Sequence, residues 1–272
     1  MRKARGFLSL VLALALALSV VALAGCSKSP DTTTSGATET PALAVVNAGE
    51  LTVGSDTAFP PFETMNGSTA EGFDVDLAAA IADELGLKSK FVTYKFDTLI
   101  PTLKAGGKFD VAMSAMTIND KRKQEIDFSS PYIDSNQSIA VQNASTAKSA
   151  ADLAGKKIGV QSGTTGQEWA KANLKSSTIV AFDDTLAAFA ALQAGKVDAI
   201  VNDLPVSAAI VKDPARSMKL IQEIPTGEQY GIAVSKSNPD LTKAIDDALA
   251  KLKDNGKYAE IYKKWFGQAP PQ

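Results

Sequence analysis

The sequence predicts an α/β fold made of two similarly built halves. Strand-like and helix-like segments alternate from about residue 51 onward, the pattern of largely parallel sheets with crossover helices. A run over 98–112 (a helix, a Gly-Lys turn, then a strand with Asp at its second position) is echoed over 185–199, which points to two lobes built alike. The chain has 272 residues, 45% of them hydrophobic and 21% charged, enough for two lobes with cores of their own.

The elements follow in order. Leu51-Thr52-Val53-Gly54 reads as a strand, followed by the Pro-rich turn Phe59-Pro60-Pro61-Phe62. Leu77, Ile81 and Leu85 share one face of a helix over 74–85, with Gly86 at its C′ position. Phe91-Val92 is a short strand. Asp97 or Thr98 caps the next helix, with Pro101 near its first turn, where proline does least harm. A strand over 109–113 leads to a short helix capped by Asn119 or Asp120. In the second half, strands are expected over 157–160, 178–182 and 197–201. Ser162-Gly163-Thr164-Thr165-Gly166 turns into a helix near Gln167, and Asp183 caps a helix over 185–194. Asn238-Pro239 opens a helix that runs to Asn255, and an amphipathic stretch over 257–266 finishes the folded part.

The first residues have the form of an address. Arg2, Lys3 and Arg5 precede a run over 7–24 that holds only apolar residues and two serines. This is the form of a secretory signal, and it is also about long enough for a retained membrane span. Leu23-Ala24-Gly25-Cys26 resembles the bacterial lipobox, and the chain's single cysteine falls at its cleavage position. Residues 1–25 are therefore expected to be removed and Cys26 to carry the lipid, against the plainer reading of a lone buried thiol. That removal takes three basic residues and no acidic one, leaving 25 basic against 30 acidic residues, a formal charge of −5. No later apolar run approaches spanning length. Residues 26–47, rich in Ser and Thr at their start, read as a flexible tether.

Composition removes several function classes. The chain has no histidine, so a Ser–His–Asp or Cys–His set cannot form, and common zinc sites are out; neither metal nor cofactor is expected. One cysteine cannot make an internal disulfide. The full chain's formal charge of −2 gives no reason to expect nucleic acid. Ser145-Thr146-Ala147-Lys148 matches S-x-x-K, but its companion motifs are missing.

In open α/β sheets ligands sit beyond the carboxyl ends of strands, and two facing lobes would bring two such ends to one cleft. Arg122 lies in the first turn of its helix, where positive charge does not serve the helix. It is either a carboxylate ligand or a solvated surface residue beside Lys121 and Lys123. Asp203, at a strand end, either receives an ammonium group or caps the following helix. The 162–166 turn offers N–H groups and hydroxyls to an anion, or is an ordinary strand-to-helix turn; it lacks a nucleotide-loop pattern. Phe59 and Phe96, expected in loops, either clamp a ligand or pack in the core. Asp56 is a turn residue or a contact for a polar ligand tip.

These residues carry a resemblance over about 48–267. The stretches Gly54-Ser55-Asp56-Thr57-Ala58-Phe59-Pro60-Pro61-Phe62-Glu63, Gly72-Phe73-Asp74-Val75-Asp76-Leu77, Arg122-Lys123-Gln124-Glu125-Ile126-Asp127-Phe128-Ser129, Gly159-Val160-Gln161-Ser162-Gly163-Thr164-Thr165-Gly166 and Ile261-Tyr262-Lys263-Lys264-Trp265-Phe266 resemble the extracytoplasmic solute-binding proteins of polar amino-acid ABC transporters. The resemblance implies the two-lobed periplasmic-binding-protein fold, each lobe a mostly parallel sheet flanked by helices and joined by two hinge strands. One lobe would comprise 48–136 plus 231–267 and the other 137–230, with crossings near 136–141 and 227–234, closing on ligand as a hinge. It further implies that Arg122 pairs with an α-carboxylate, helped by Ser114, Thr117, the backbone around Ala115, and Thr165. Asp203 would pair with the α-ammonium, Phe59 and Phe96 would sandwich the side chain, and Asp56, Gln161 and Asn202 would set specificity. Asp56 matches an acidic residue that the basic-amino-acid binders and a glutamine-binding relative both have, but that relative has Lys at position 161 and His at position 202, both of positive character. Gln161 and Asn202 remove that character, which favours arginine or lysine over glutamine and disfavours acidic ligands. The expected setting is extracytoplasmic and lipid-anchored, as a monomer serving an ABC permease. A dehydratase on the same fold is the competing reading, with Glu63 the only acid near enough to nominate; the detached input module of a receptor and a ligand-free scaffold are further ones.

Overall fold

The computed structural model describes residues 43–271. The expected leader, Cys26 and most of the tether lie outside the described residues. In chain order, the elements are β1 (Glu50–Ser55), β2 (Ala58–Phe59), β3 (Glu63–Asn66), β4 (Thr69–Glu71), α1 (Phe73–Glu84), β5 (Lys88–Thr93), α2 (Phe96–Ala105), β6 (Val111–Ala112), α3 (Asp120–Lys123), β7 (Asp127–Phe128) and β8 (Ile133–Gln142). There follow β9 (Lys157–Gln161), α4 (Thr165–Asn173), β10 (Thr178–Phe182), α5 (Thr185–Gln193), β11 (Ala199–Asp203), α6 (Leu204–Val211), β12 (Met218–Tyr230), β13 (Ala233–Val234), α7 (Pro239–Asp254) and α8 (Lys257–Phe266).

Two five-stranded sheets have the same plan. The first is ordered β5-β1-β6-β13-β7 and the second β10-β9-β11-β8-β12. In each, three strands run parallel and the fourth is antiparallel to both neighbours, so four of the five point the same way. The 98–112 and 185–199 echo corresponds to α2–β6 and α5–β11, which hold equivalent places. Its aspartates do the same work. Asp110 Oδ2 accepts the Thr52 N–H at the start of β1 (2.7 Å), and Asp198 Oδ2 accepts the Lys157 N–H at the start of β9 (2.7 Å). Each fastens the amino end of one parallel strand to its neighbour, leaving the carboxyl ends free for the cleft.

The long strands β8 and β12 pair antiparallel over most of their length and link the second sheet to the first lobe. Where they enter that lobe, Phe62, Phe73, Tyr132, Tyr230, Tyr258, Tyr262 and Phe266 pack with ring centroids 4.5–6.3 Å apart. This aromatic contact ties α1, α8 and the crossing strands together. Within the expected tether, Leu43 packs against the core and the Val46 N–H donates to Asp110 Oδ1 (2.6 Å), so ordered contacts begin before residue 48.

Several boundaries differ from the expectation. Helix α2 starts at Phe96 with Lys95 as an uncapped N-cap, not at Asp97 or Thr98. Burial of the Phe96 ring beside Leu99 and Leu103 sets that start, and the Thr98 hydroxyl donates back to the Lys95 carbonyl (2.7 Å). Pro101 therefore sits inside the helix; burial of Leu99 and Leu103 carries the helix past it. Asp184, not Asp183, caps α5 through the Ala187 N–H (2.7 Å), while the Asp183 side chain turns to Lys95 of the other lobe (2.5 Å) at the surface. Helix α4 begins two residues early because Thr164 caps it. Strand β11 runs on to Asp203, which pairs with Gln137 of β8.

Asp110 is buried and also holds Val46, whereas Asp198 is exposed. We expect Asp110→Ala to cost about 1–2 kcal/mol and Asp198→Ala less than about 1 kcal/mol, read as shifts in urea midpoint at unchanged slope. Equal losses would contradict this division of work.

Candidate functional site

The polar residues singled out from sequence gather where the carboxyl ends of the parallel strands meet. Asp56 follows β1, Ser114 follows β6, Gln161 ends β9 and Asp203 ends β11. Asp56, Ser114, Thr117, Arg122, Gln161, Asn202 and Asp203 are all buried.

Arg122 is placed by Asn119, whose side chain accepts the Arg122 N–H (2.8 Å) at the start of α3. Its guanidinium donates to the Thr117 carbonyl (2.6 Å) and, across the cleft, to the Gly163 carbonyl (3.1 Å). The Phe96 ring lies beneath it, 5.3 Å from the centroid. Among the described residues no carboxylate forms an ion pair with it, and burial pulls its pKa below the ordinary arginine value. A buried guanidinium held by carbonyls and a ring face, with no ion pair of its own, is suited to a carboxylate.

Asp203 has the complementary need. It accepts from Gln137 Nε2 (2.6 Å) and from the Tyr230 hydroxyl (2.5 Å), and it makes no side-chain cap for α6. Of its two sequence readings, capping is therefore removed. Burial, then the Glu228 charge, raises its pKa to about 7, against the pull of Tyr230, Gln137 and Arg122. Among the described residues it has no cationic ion-pair partner.

At the far end of the constellation, Gln161 Nε2 donates across the cleft to Asp56 Oδ2 (2.7 Å). The Thr185 hydroxyl lies behind, within 2.8 Å of Gln161 Oε1 and 3.2 Å of Asn202 Oδ1. Gln161 and Asn202 thus form a buried network with Thr185 behind Asp56. Burial raises the Asp56 pKa to about 6; Gln161 opposes this, while Asp184 and Asp97 add to it.

Some expected partners have their donors committed elsewhere. The Ser114 hydroxyl donates to Glu63 (2.6 Å) and accepts the Asp56 N–H (3.1 Å), while the Ala115 N–H donates to Asp74 (2.9 Å). Thr117 and Thr165 face each other across the cleft at 3.4 Å, and both hydroxyls reach Glu228 Oε2 (3.0 and 2.9 Å). Phe59 and Phe96 lie in β2 and α2 rather than in loops, and both rings pack in core clusters. Their core reading is met, and Phe96 also serves Arg122. In the 162–166 turn, Gly163 has φ +77°, and a Cβ there would lie 2.9 Å from that of Asp97. Glycine lets its carbonyl reach Arg122.

Sequence reasoning did not single out Gln137, Thr185, Glu228 or Tyr230. Gln137, in the middle of β8, and Tyr230, at the end of β12, hold Asp203; Glu228 gathers Gln137, Thr117 and Thr165. The one available signal was the echo, which aligns Thr185 with Thr98 at the start of a helix.

Residues 51–268 match the family model of bacterial extracellular solute-binding proteins, family 3. The L-cystine-binding protein TcyJ of Escherichia coli (strain K12) is 33% identical over 226 residues, covering 82% of this chain and 85% of that protein. The ABC transporter glutamine-binding protein GlnH of Bacillus subtilis (strain 168) is 33% identical over 269 residues, covering 96% and 98%. Among solved structures, an ancestral arginine-binding protein bound to glutamine superposes with a TM-score of 0.78 at 43% identity, covering 81% of this chain and 99% of that one.

The Asp203 carboxyl, followed by carbon-13 NMR without ligand, is expected to titrate near pH 7. Tyr230→Phe should move it higher, because the lost hydroxyl favours the carboxylate. Its pKa is raised on folding, so its contribution to stability is full below the ordinary value of 3.8 and is lost as pH rises through about 7. Asp203→Asn should flatten that part of the stability profile. A Tyr230→Phe titration that stays put would contradict the assignment.

Proposed function

From the premise that the chain belongs to the bacterial extracellular solute-binding proteins of family 3, we propose that it captures one free L-amino acid between its lobes and delivers it to an ABC permease. One observation carries this reading. Arg122 and Asp203, buried charges of opposite sign with no ion-pair partners among the described residues, face one cleft from different lobes. A zwitterion leaving water needs both of its charges compensated, and this pair offers an anion site and a cation site together. Contacts from both lobes favour closure around the ligand.

The side-chain end of the site favours a cation. Asp56 is accompanied by Asp97 and Asp184, and Lys95 is taken by Asp183. We therefore favour arginine or lysine, then glutamine; an acidic side chain would meet only like charge. We read the protein as a binder rather than an enzyme. Glu63, the acid nominated for proton transfer, is wholly buried against Ser114 and Asp74.

The remaining parts of the reading are a lipid on Cys26 that holds the protein outside the cytoplasm, a monomeric state, and lobes of 48–136 plus 231–267 and 137–230. The arrangement of the two sheets supports that division.

Calorimetry against the free amino acids should find one ligand at a stoichiometry of about one. No heat from any of them would overturn the proposal. Arg122→Ala and Asp203→Ala should each lose that binding while the protein stays folded by circular dichroism; binding kept in either variant would remove that residue from the site.

The ammonium needs Asp203 ionised, so affinity should fall as pH drops below about 7, by up to about tenfold per unit. Asp56 should add a second loss below about 6 for arginine or lysine but not for glutamine. An arginine-to-glutamine affinity ratio unchanged over that range would exclude Asp56 as the cation's partner.

A further inference from the structure

Glu63 opens β3, Asp74 lies in the first turn of α1, and both side chains are fully buried. Gly72 brings them together. At φ +149°, a Cβ there would lie 1.9 Å from the Phe62 carbonyl oxygen, so only glycine lets α1 start against this backbone. The Phe73 and Asp74 N–H groups then donate to the Pro61 and Phe62 carbonyls, each at 2.9 Å.

The donors around the two carboxyls can be counted. Glu63 Oε1 receives the Ser114 hydroxyl (2.6 Å). Asp74 Oδ2 receives the Ala115 N–H and the Tyr132 hydroxyl (2.9 Å each). The second oxygens, Glu63 Oε2 and Asp74 Oδ1, are buried without a donor. The two carboxyls are anchored side by side, on the adjacent residues Ser114 and Ala115, and the Asp74 charge helps to push the Glu63 carboxyl up. Two carboxylates so placed, shielded from water, cannot both hold a charge, and one proton between the orphan oxygens supplies the missing bond to both.

We propose that Glu63 and Asp74 share one proton, Glu63 as the acid and Asp74 as the carboxylate, and that this pair is the positioning element for residues 114–115 of the cleft. Asp74 has two donors to Glu63's one, so it is the better anion. Burial pushes both carboxyls up, Glu63 well above the ordinary range. The pair fixes two things. The Ser114 hydroxyl, aimed by Glu63, accepts the Asp56 N–H (3.1 Å). The Ala115 N–H, held by Asp74, keeps a non-glycine residue at φ +45° just ahead of Thr117, whose carbonyl holds Arg122.

The groups facing the pair offer no counter-charge. They are Asp56 after β1, Tyr132 ahead of β8 and Tyr258 in α8, with Tyr230 at the end of β12 packed behind Tyr132. Burial raises all three tyrosines, which stay neutral at ordinary pH. Among the described residues no lysine or arginine hydrogen-bonds to either carboxyl. Loss of the shared proton therefore leaves two adjacent charges, and residues 114–115 lose their fixed anchor. The link to ligand affinity rests on the amino-acid reading of the cleft; the proton itself does not.

Glu63→Gln tests both. Its carbonyl can accept from Ser114 and its N–H can replace the proton to Asp74, so the variant should fold and bind within about twofold of the parent at neutral pH. Glu63 is raised on folding, so its stabilising contribution is full below about 4.5 and declines as pH rises. The thermal midpoint of Glu63→Gln, measured without ligand, should accordingly gain on that of the parent as pH rises. Parent affinity should fall by up to about tenfold per unit on the alkaline side, beyond the limb of the ligand's own ammonium, which the variant keeps. Carbon-13 NMR of labelled glutamate should find Glu63 protonated at neutral pH. Adding Asp74→Asn to Glu63→Gln sets two amide N–H₂ groups face to face and should lose more stability than the two single changes summed. An ionised Glu63, or parallel pH profiles of midpoint, overturns the pair. A protonated Glu63 with parallel affinity profiles overturns its positioning role. If the parent binds no amino acid, the proposed function fails, while the NMR and the midpoints still judge the proton.

Discussion

The structure is organised around one unbalanced burial. Arg122 carries its charge out of water and meets two carbonyl oxygens, one from each side of the cleft, and the face of the Phe96 ring. Asp203 does the same with opposite sign and meets only an amide and a phenol. Uncompensated buried charge is among the costlier things a fold can hold. The surroundings limit that cost with directed dipoles and with the attraction between the two charges at a distance, rather than with a direct ion pair. A lysine beside Asp203 or a glutamate on Arg122 would satisfy that charge within the protein and, on the proposed reading, leave nothing for a zwitterion to do.

The rest of the molecule keeps those charges apart and aimed. Asp110 and Asp198 fasten the amino ends of equivalent strands, so the carboxyl ends meet at the cleft. The crossing strands bring Gln137 and Tyr230 to Asp203. Surface ion pairs across the cleft, Lys95–Asp183 and Lys121–Glu168, are largely exposed and add little. The contacts that join the two lobes most firmly are therefore the less exposed ones, Asp56–Gln161 and Arg122–Gly163.

Much of this was legible in the sequence because the signals were local. Alternation of elements, the internal echo, and a first-turn arginine that does not serve its helix are each read within a few residues. The family resemblance then raised Arg122 and Asp203 above their plainer readings. What stayed hidden depends on distant partners. Whether Asp203 caps α6 or faces the cleft is decided by Gln137, 66 positions away. Glu228 meets Thr117 across 111 positions, and nothing near Glu228 announces it. Ser114 looked free to help a ligand carboxylate until Glu63, 51 positions earlier, proved to hold its hydroxyl. The start of α2 was misread for a related reason: the burial of Phe96, a tertiary event, outweighed the capping preference of Asp97 and Thr98.

The central claim is that both charged ends of the ligand are bound by buried groups of opposite sign. Its most direct test is equilibrium binding of the cognate amino acid beside two analogues, its α-carboxamide and its α-deamino acid. The account predicts that each analogue, leaving Arg122 or Asp203 unpaired, binds at least about a hundredfold more weakly. Affinity within a few-fold of the parent for either analogue would contradict it.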